Sequence, residues 1–298
     1  MSASRRSATE AVARALVRGR VDGPALRLAS IVARRSRGDR AAASLGWHLG
    51  QVAGASPRAA RLRSGSTMFV DVRDYAHRHI FLHGVYENDL TALFARLVHP
   101  GWTVVDVGAN AGYFSLLAAD LGGRRSRVVA FEPQPRMAAM LRRTLDLNAG
   151  SAIELVQSAC GDRCGTATLD SSPDPRNSGL ARLTDSQRVG VATSDVPIVR
   201  LDRYCEAHQI VPDLVKIDVE GAEDDVLRGM TALLAGGIPR HVVCEVWPAS
   251  RSVVVAFMAS HGYRASGIGA DGSLAAPPIE GSAWANICFH RDAAPQRG

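Results

Sequence analysis

The 298-residue chain has almost no lysine and no long apolar run. Of its 35 basic side chains, Lys216 is the only lysine and all the others are arginines. We interpret the arginine excess as a coding bias, so the single lysine marks a position where a guanidinium does not serve. The longest apolar run, residues 253–259, is far shorter than the roughly 20 residues that span a bilayer. No apolar segment follows the N-terminal arginines, so the sequence predicts neither a membrane anchor nor a secretion signal.

Cysteines are few, and their spacing suggests neither a bridge nor a zinc site. The five cysteines are odd in number and include no C-x-x-C pair, which argues against a disulfide framework and against a zinc ribbon. Three clustered histidines, His77, His79 and His83, have no carboxylate of suitable spacing beside them. We therefore predict no metal site and a reduced, cytoplasmic location.

Positive charge is concentrated at the N-terminus. The formal net charge is +6, but residues 1–65 contain 13 arginines and three acids, which leaves residues 66–298 at −4. Ser7 and Pro24 predict the starts of two short helices in the basic segment. Such an arm could bind nucleic acid or an anionic surface, although a solvated helical extension is the simpler interpretation. We predict a mainly helical extension over residues 1–65 and the main domain over residues 66–298.

The main domain begins after an Ala/Gly/Ser-rich connection over residues 53–66. The pieces TMFVDV and HIFLHG, residues 67–72 and 79–84, predict a pair of strands. Asn88 or Asp89 then opens a helix whose apolar residues recur at helical spacing.

Apolar strands alternate with helical stretches along the rest of the chain. The predicted strands are residues 103–107, 127–131, 153–158, 214–217 and 241–246. This alternation predicts an α/β fold with a doubly wound, mostly parallel, Rossmann-like sheet.

Two segments interrupt the alternation. The segment before the fourth strand has a turn signal, SSPDP at residues 171–175, and short apolar pieces, which predict an inserted β-hairpin near the active edge of the sheet. The pieces GYRASGI and WANICFH, residues 262–268 and 284–290, flank a GADGS loop and predict a closing antiparallel hairpin.

The stretch VVDVGANAGYFS, residues 104–115, is typical of a strand that runs into a tight loop and then a helix. A dinucleotide-binding loop has the pattern G-x-G-x-x-G, whose middle glycine lets the backbone approach a pyrophosphate. Here Asn110 stands at the middle-glycine position and Tyr113 at the third. The chain also has no G-K-[ST], so the loop matches neither a dinucleotide site nor a P-loop.

The loop instead suits a ligand with a cationic amino-acid end, because a carboxylate can pair with the cation while bare backbone comes close. S-adenosylmethionine is a ligand of this kind. The residues that we expect to hold it are Asp106, Gly108, Ala109, Asn110 and Gly112.

Two further positions are expected to contact the cofactor. The second strand ends at Glu132 and Pro133, about 24 residues after Gly108, where an acid can accept both ribose hydroxyls. Asp162 follows the third strand, where we expect it to contact the adenine amino group.

The chain contains, in this order, the segments VVDVGANAGYFSLLAA, FEPQP, VRLDRY, DLVKIDVEGAEDDVLRGM and VVCEVWP. In order and spacing they resemble the FkbM family of S-adenosylmethionine-dependent methyltransferases, from about Tyr86 to Trp247. The resemblance implies a class I methyltransferase fold and O-methylation of a hydroxyl on a sugar, a glycolipid head or a natural product. It also implies that Tyr86 and Glu87 help to close over the cofactor. Residues 1–65 lie outside it.

Methyl transfer from a sulfonium is an in-line displacement, so the protein must align the acceptor and handle one proton. Lys216, Asp218 and Glu220 come with the fourth strand and share one face by the strand period of two. We expect Asp218 or Glu220 to accept the proton or orient the hydroxyl, and Lys216 to pair with them as a compact ammonium. Glu245, at the end of the fifth strand, either faces the same crevice or pairs with an arginine.

Three functions stay open from the sequence. The leading one is a small-molecule or carbohydrate O-methyltransferase. An RNA or protein methyltransferase would use the arginine-rich arm, but no aromatic platform accompanies those arginines, as binding of a single-stranded nucleic acid would require. A non-catalytic scaffold would keep the fold without the reaction, and titration with the cofactor separates it from the other two.

Overall fold

The computed structural model describes residues 57–170, 177–184, 192–276 and 284–291. The two helices predicted from Ser7 and Pro24, and the turn signal SSPDP, lie outside these residues. The chain divides into two compact units. Of the described residues, one unit contains 57–86 and Asn177, and the other contains those from Glu87 onwards apart from Asn177.

The described residues of the first unit form a two-stranded sheet and a helix. Strand β1 (Arg58–Arg61) pairs antiparallel with β2 (Thr67–Val70), so part of the segment predicted as a connection forms a strand. Helix α1 (Tyr75–His83) follows.

Helix α1 occupies the place where the sequence predicts the strand HIFLHG, and that prediction is wrong. The Asp74 carboxylate accepts a hydrogen bond from the His77 N–H and caps the first turn, and Gly84 ends the helix with φ 68°. His77, Ile80 and Phe81 are buried at helical spacing. The cap at Asp74 and the glycine at the end outweigh the strand propensity of the short apolar run between them.

The second unit opens with α2 (Asn88–Leu97), as predicted, and contains an eight-stranded sheet. In spatial order its strands are β13 (Leu274–Ala275), β12 (Arg264–Ile268), β14 (Ala285–His290), β11 (His241–Val246), β10 (Leu214–Ile217), β3 (Thr103–Val107), β4 (Arg127–Phe131) and β5 (Ile153–Val156). The strands from β11 to β5 are parallel, and β14 is antiparallel to both of its neighbours. The predicted doubly wound α/β class is confirmed, as is the antiparallel C-terminal pair.

Six more helices connect or cover the strands of this unit. They are α3 (Tyr113–Gly122), α4 (Pro135–Asp146), α5 (Leu201–Ala207), α6 (Glu223–Arg228), α7 (Thr231–Ala235) and α8 (Arg251–Ser260). Strand β10 is buried along its whole length, as expected for a central parallel strand. No helix among the described residues is both long and apolar enough to cross a membrane.

The inserted segment forms more than the predicted hairpin. It contains β6 (Ala159–Cys160), β7 (Gly165–Asp170), β8 (Arg182–Thr184) and β9 (Thr193–Val199), which form a small sheet in the order β6-β9-β7-β8. The antiparallel pair β7–β9 corresponds to the predicted hairpin. Strand β8 pairs with β7 and extends this sheet on one edge. Buried residues of β6, β7 and β9 give this sheet its own small apolar core.

The order of the main sheet puts β3 beside β10 at its centre. The chain leaves β3 toward β4 on one side and leaves β10 toward β11 on the other. Such a reversal of strand order opens a crevice at the carboxyl ends of the two strands, where α/β proteins bind their ligands.

Candidate active site

The loop after β3 is held against the end of β4. The backbone N–H groups of Gly108 and Ala109 both donate to the carbonyl oxygen of Phe131, at 3.0 Å. Asn110 has a φ of 53°, and its Oδ1 accepts a hydrogen bond from the Ala111 N–H at 2.7 Å. Asparagine tolerates this left-handed backbone because its short side chain bonds locally. Asn110 can therefore occupy the position that a glycine occupies in a dinucleotide-binding loop.

Two glycines of this loop are required by space as well as by conformation. A Cβ at Gly108 would overlap the carbonyl oxygen of Asp218, and the φ of Gly108 is 79°. A Cβ at Gly112, where φ is 96°, would press on the side chain of Leu141. Only glycine adopts such backbones without a steric cost, so Gly108 lets the ends of β3 and β10 meet.

Glu132, at the end of β4, binds the backbone of the loop. Its Oε2 accepts a hydrogen bond from the Asn110 N–H at 2.7 Å, and its Oε1 accepts one from the Gln134 N–H at 2.8 Å. The residue is 6% exposed. Burial raises the pKa of Glu132 to about 7, although the two N–H donors act in the opposite sense. Since each oxygen can accept a further hydrogen bond, Glu132, with half-buried Pro133 beside it, keeps capacity for two ribose hydroxyls.

Asp106 is buried and only partly satisfied. Its Oδ2 accepts a hydrogen bond from the Ser115 hydroxyl at 2.6 Å. Its Oδ1 lies 3.8 Å from Lys216 Nζ and has no hydrogen-bond donor among the described residues. A buried oxygen without a donor is costly, and an N–H of a bound ligand would satisfy it. This oxygen and the carboxylate of Glu132 together fit S-adenosylmethionine.

Lys216 is buried between the loop that follows β3 and the loop that follows β10. Its Nζ lies 3.0 Å from Asp218 Oδ2 and 5.1 Å from the centre of the Phe114 ring, and the residue is 3% exposed. Burial by itself lowers the pKa of an ammonium, but Asp218, Asp106 and Glu87 outweigh it and raise the pKa of Lys216 above its usual value. The predicted pairing of this lysine with a carboxylate is present. The ammonium is thus closed off from solvent and contacts Asp218 directly.

Three predicted carboxylates converge at the ends of β10 and β11. One oxygen each from Asp218, Glu220 and Glu245 lies within 4.8 Å of the others, a spacing that could also hold a metal ion. The prediction that Glu220 reaches this place by strand period is wrong, because β10 ends at Ile217. Glu220 and Gly221 form a left-handed turn, with φ of 57° and 107°, that returns the side chain to the crevice.

Burial and mutual repulsion set the protonation of this cluster. Burial, followed by the charge of Asp218, raises the pKa of Glu220 to about 7 and that of Glu245 to about 9. A carboxyl with a pKa near 7 exchanges its proton close to neutral pH, whereas one with a pKa near 9 keeps it. At neutral pH Glu245 therefore holds its proton more tightly than Glu220 does.

Glu87 lies with the same acids. Burial raises its pKa to about 7, the charge of Lys216 lowers it, and that of Asp218 raises it. Asn286 Nδ2 donates to Glu87 Oε2 at 3.4 Å, and Asn286 is the register partner of Glu245 across β11 and β14. Sequence reasoning missed Asn286, although an amide within the otherwise apolar strand ANICFH is a signal that could have found it.

The insertion reaches the loop through Ser178. This serine lies in a short 3-10 helix at Ser178–Leu180, and its hydroxyl accepts a hydrogen bond from Asn110 Nδ2 at 3.1 Å. The predicted position of the insertion, near the active edge, agrees with this contact.

Backbone strain is concentrated here. In the described part of the chain four non-glycine residues have a positive φ, and three of them, Glu87, Asn110 and Glu220, belong to this site. Such conformations cost about 1–3 kcal/mol each and persist where the surrounding structure enforces them. The site is therefore held in shape before a ligand arrives.

Two predicted residues stand apart from the cluster. Tyr86 ends the first unit, where its ring lies 6.3 Å from that of His79, edge to face. Asp162 follows β6, and its carbonyl oxygen accepts a hydrogen bond from Arg200 Nη1 at 2.9 Å. Their roles at the cofactor stay predictions.

Comparisons with known proteins agree with this geometry. The model of the methyltransferase FkbM domain matches residues 106–265. Methyltransferase sdnD of Sordaria araneosa is 32% identical over 177 residues, 49% of this chain and 67% of that protein. Methyltransferase 1 of Beauveria bassiana is 30% identical over 146 residues, 43% of this chain and 57% of that protein. Hexuronic acid methyltransferase AglP of Haloferax volcanii is 28% identical over 149 residues, 50% of this chain and 58% of that protein.

The matches therefore span from a little over half to two thirds of these relatives' lengths. The family match includes the loop after β3, Glu132 and the three clustered carboxylates. Because it covers more than half of the chain, the protein belongs to the FkbM methyltransferase family.

Proposed function

We propose that this protein transfers a methyl group from S-adenosylmethionine to a hydroxyl of a small-molecule or carbohydrate acceptor. The observation that carries the proposal is the convergence of Asp218, Glu220 and Glu245 beside the loop at Gly108. The cofactor loop and a set of proton-handling groups thus share one crevice at the reversal of strand order.

The cofactor supplies a methyl group that its sulfonium already activates. What is left to the protein is alignment of the acceptor hydroxyl and removal of its proton. Glu220, whose pKa is raised to about 7, suits the proton acceptor near neutral pH. Asp218 is fixed by Lys216 at 3.0 Å and suits the group that orients the hydroxyl. Glu245 would donate a hydrogen bond to the acceptor.

The acceptor class is supported by one relative in particular. AglP carries the name hexuronic acid methyltransferase, so one relative with 28% identity acts on a sugar acid. A cluster of carboxyls that can both accept and donate hydrogen bonds also suits an acceptor that carries several hydroxyls.

Isotope-labelled methyl transfer tests the proposal. The purified chain is first titrated with S-adenosylhomocysteine by calorimetry and then incubated with labelled S-adenosylmethionine and a panel of glycosides and hydroxylated metabolites. We expect product whose label resists alkaline hydrolysis, as an ether does and an ester does not. Cofactor binding without transfer to any member would favour a scaffold, and label on nitrogen would overturn the hydroxyl assignment.

A further inference from the structure

Two exposed tryptophans stand at the carboxyl edge of the main sheet. Trp247 follows β11 directly and is 39% exposed, and Trp284 precedes β14 directly and is 48% exposed. The last pair in the register of these antiparallel strands is Val246 with Ala285, so the next residues outward are the two tryptophans. Large exposed aromatic side chains are uncommon without a partner.

Their sequence positions relate them to the acids of the crevice. In a strand, residues two apart point to the same face, and directly opposed residues share a face. Trp247 is two residues from Glu245, Trp284 is two residues from Asn286, and Glu245 opposes Asn286. Asn286 in turn donates to Glu87. The tryptophans therefore lie at the strand ends, each two residues along the chain from Glu245 or Asn286.

The charge of this crevice limits what it can admit. The charges of Glu87, Asp218, Glu220 and Glu245 act on one another, and Lys216 is the one cation buried among them. In the described part of the chain the crevice therefore holds four carboxyl groups and one buried ammonium. A second negative charge about 5 Å away would weaken binding by about tenfold or more in a partly buried site.

We propose that Trp247 and Trp284 form the acceptor side of the site, and that the crevice admits uncharged, hydroxyl-rich ring compounds and excludes their anionic counterparts. The inference rests on the proposed function and adds the selection by charge and the two residues that carry it. The apolar face of a ring stacks on an indole, while its hydroxyls bond to the carboxyls and to Asn286. The acceptor would then differ in charge from a hexuronic acid.

One cation could support the opposite selection. Arg182 on β8 is exposed, and its charge lowers the pKa of Glu220. An anionic acceptor would use this guanidinium as its anchor. The variant Arg182→Ala therefore separates the two possibilities.

Saturation-transfer NMR on matched ligands tests the inference. The probes are para-nitrophenyl glucoside and galactoside and the corresponding glucuronide and galacturonide, added to protein saturated with S-adenosylhomocysteine. We expect signal from the neutral glycosides and about tenfold less from the uronides. Trp247→Leu and Trp284→Leu keep an apolar side chain without an aromatic face and should weaken the neutral signal about 3- to 10-fold. Trp284→Phe should restore part of it.

Val253→Ala, on the exposed face of α8, is the matched control and should change nothing. Preference for uronides that Arg182→Ala abolishes would overturn the inference, as would unchanged binding in both tryptophan variants. Absence of signal from every glycoside, with S-adenosylhomocysteine bound, would also overturn it and leave the proposed methyl transfer standing. Failure to bind S-adenosylhomocysteine would count against the proposed function instead.

Discussion

The ammonium of Lys216 lies 3.0 Å from the carboxylate of Asp218, two residues further along the chain. Lys216 is also the register partner of Asp106 on β3, whose Oδ1 lies 3.8 Å from the same ammonium. One cation therefore joins the residue expected at the cofactor to the residue expected at the acceptor. This arrangement explains why the only lysine of the chain occupies the end of β10.

Lys216→Arg should keep the charge and lose most of the activity. The guanidinium is larger and planar, and the ammonium of buried Lys216 lies among Phe114 and two carboxylates, so the larger group should displace these neighbours. We expect turnover to fall about tenfold or more, with cofactor affinity nearly unchanged because Asp106 keeps a cation beside it. Steady-state kinetics and calorimetry measure the two effects. Full activity would show that the reaction does not require a lysine at position 216, and that the lysine stands there by chance.

Asp218→Asn and Glu220→Gln form a matched pair that separates the proton acceptor from the orienting group. Both changes keep size and remove basicity, so the loss of turnover should be about 100- to 10,000-fold for the proton acceptor and smaller for the other. From its pKa near 7 we expect Glu220 to be the acceptor. Single-turnover rates with saturating cofactor measure this. If neither variant slows turnover, neither carboxylate is the proton acceptor.

Glu132→Ala should weaken cofactor binding without unfolding the protein. The change removes the acceptor for two ribose hydroxyls, and hydrogen bonds to a charged group are worth about 2 to 3 kcal/mol. The Asn110 and Gln134 N–H groups lose their partner as well, so Glu132→Gln, which keeps one acceptor oxygen, is the comparison variant and should lose less affinity. Calorimetry with S-adenosylhomocysteine and circular dichroism test the prediction. Unchanged affinity with an intact spectrum would reject the ribose role.

The protein should bind S-adenosylmethionine and not NAD. Asn110 occupies the position of the middle glycine, and the carboxyl of Asp106, whose Oδ1 has no hydrogen-bond donor among the described residues, suits a cationic group better than a phosphate. Thermal shift with each ligand measures the preference, since a ligand at 100 times its Kd stabilises by about 2.7 kcal/mol. Stabilisation by NAD alone would overturn the cofactor assignment.

Glu245→Gln should stabilise the protein at alkaline pH. The folded state raises the pKa of Glu245 to about 9, so it holds the proton more tightly than the unfolded chain does. Stability therefore falls as pH rises from the ordinary glutamate pKa toward 9, and glutamine removes this loss. At pH 8.5 we expect a Tm higher by about 2–4 °C, which corresponds to about 1 kcal/mol.

The gain from Glu245→Gln should disappear at pH 5, where the carboxyl is protonated in the folded protein. Glu206→Gln, on the exposed side of α5, is the control and should show no such pH dependence. An equal gain at both pH values would show that glutamine acts by packing rather than by removing a charge.

Patterns local in the sequence predicted the frame of this site. Four predicted strands match the structure at both ends: 103–107, 127–131, 214–217 and 241–246. An apolar run bounded by turns leaves little choice of where a strand begins and ends. The loop after β3 was predictable for the same reason, since its glycines mark backbone that other residues avoid.

Residues brought in by distant or irregular backbone were not predictable in this way. Asn286 reaches Glu87 from 199 positions away, through a strand that inserts between two others. Glu220 arrives through a left-handed turn that no strand period describes. The cap at Asp74 and the glycine at position 84 stabilise helix α1, although the residues between them have strand propensity.

Because the chain has a single lysine, chemical modification of Lys216 can report how often the crevice opens. An amine-reactive reagent finds one lysine side chain in the whole sequence, and that side chain is 3% exposed and held in its charged, unreactive form. Acylation at position 216 can therefore proceed only when the two strand ends separate. The rate of that acylation measures how often the crevice opens, and a bound cofactor that bridges the two loops would slow it.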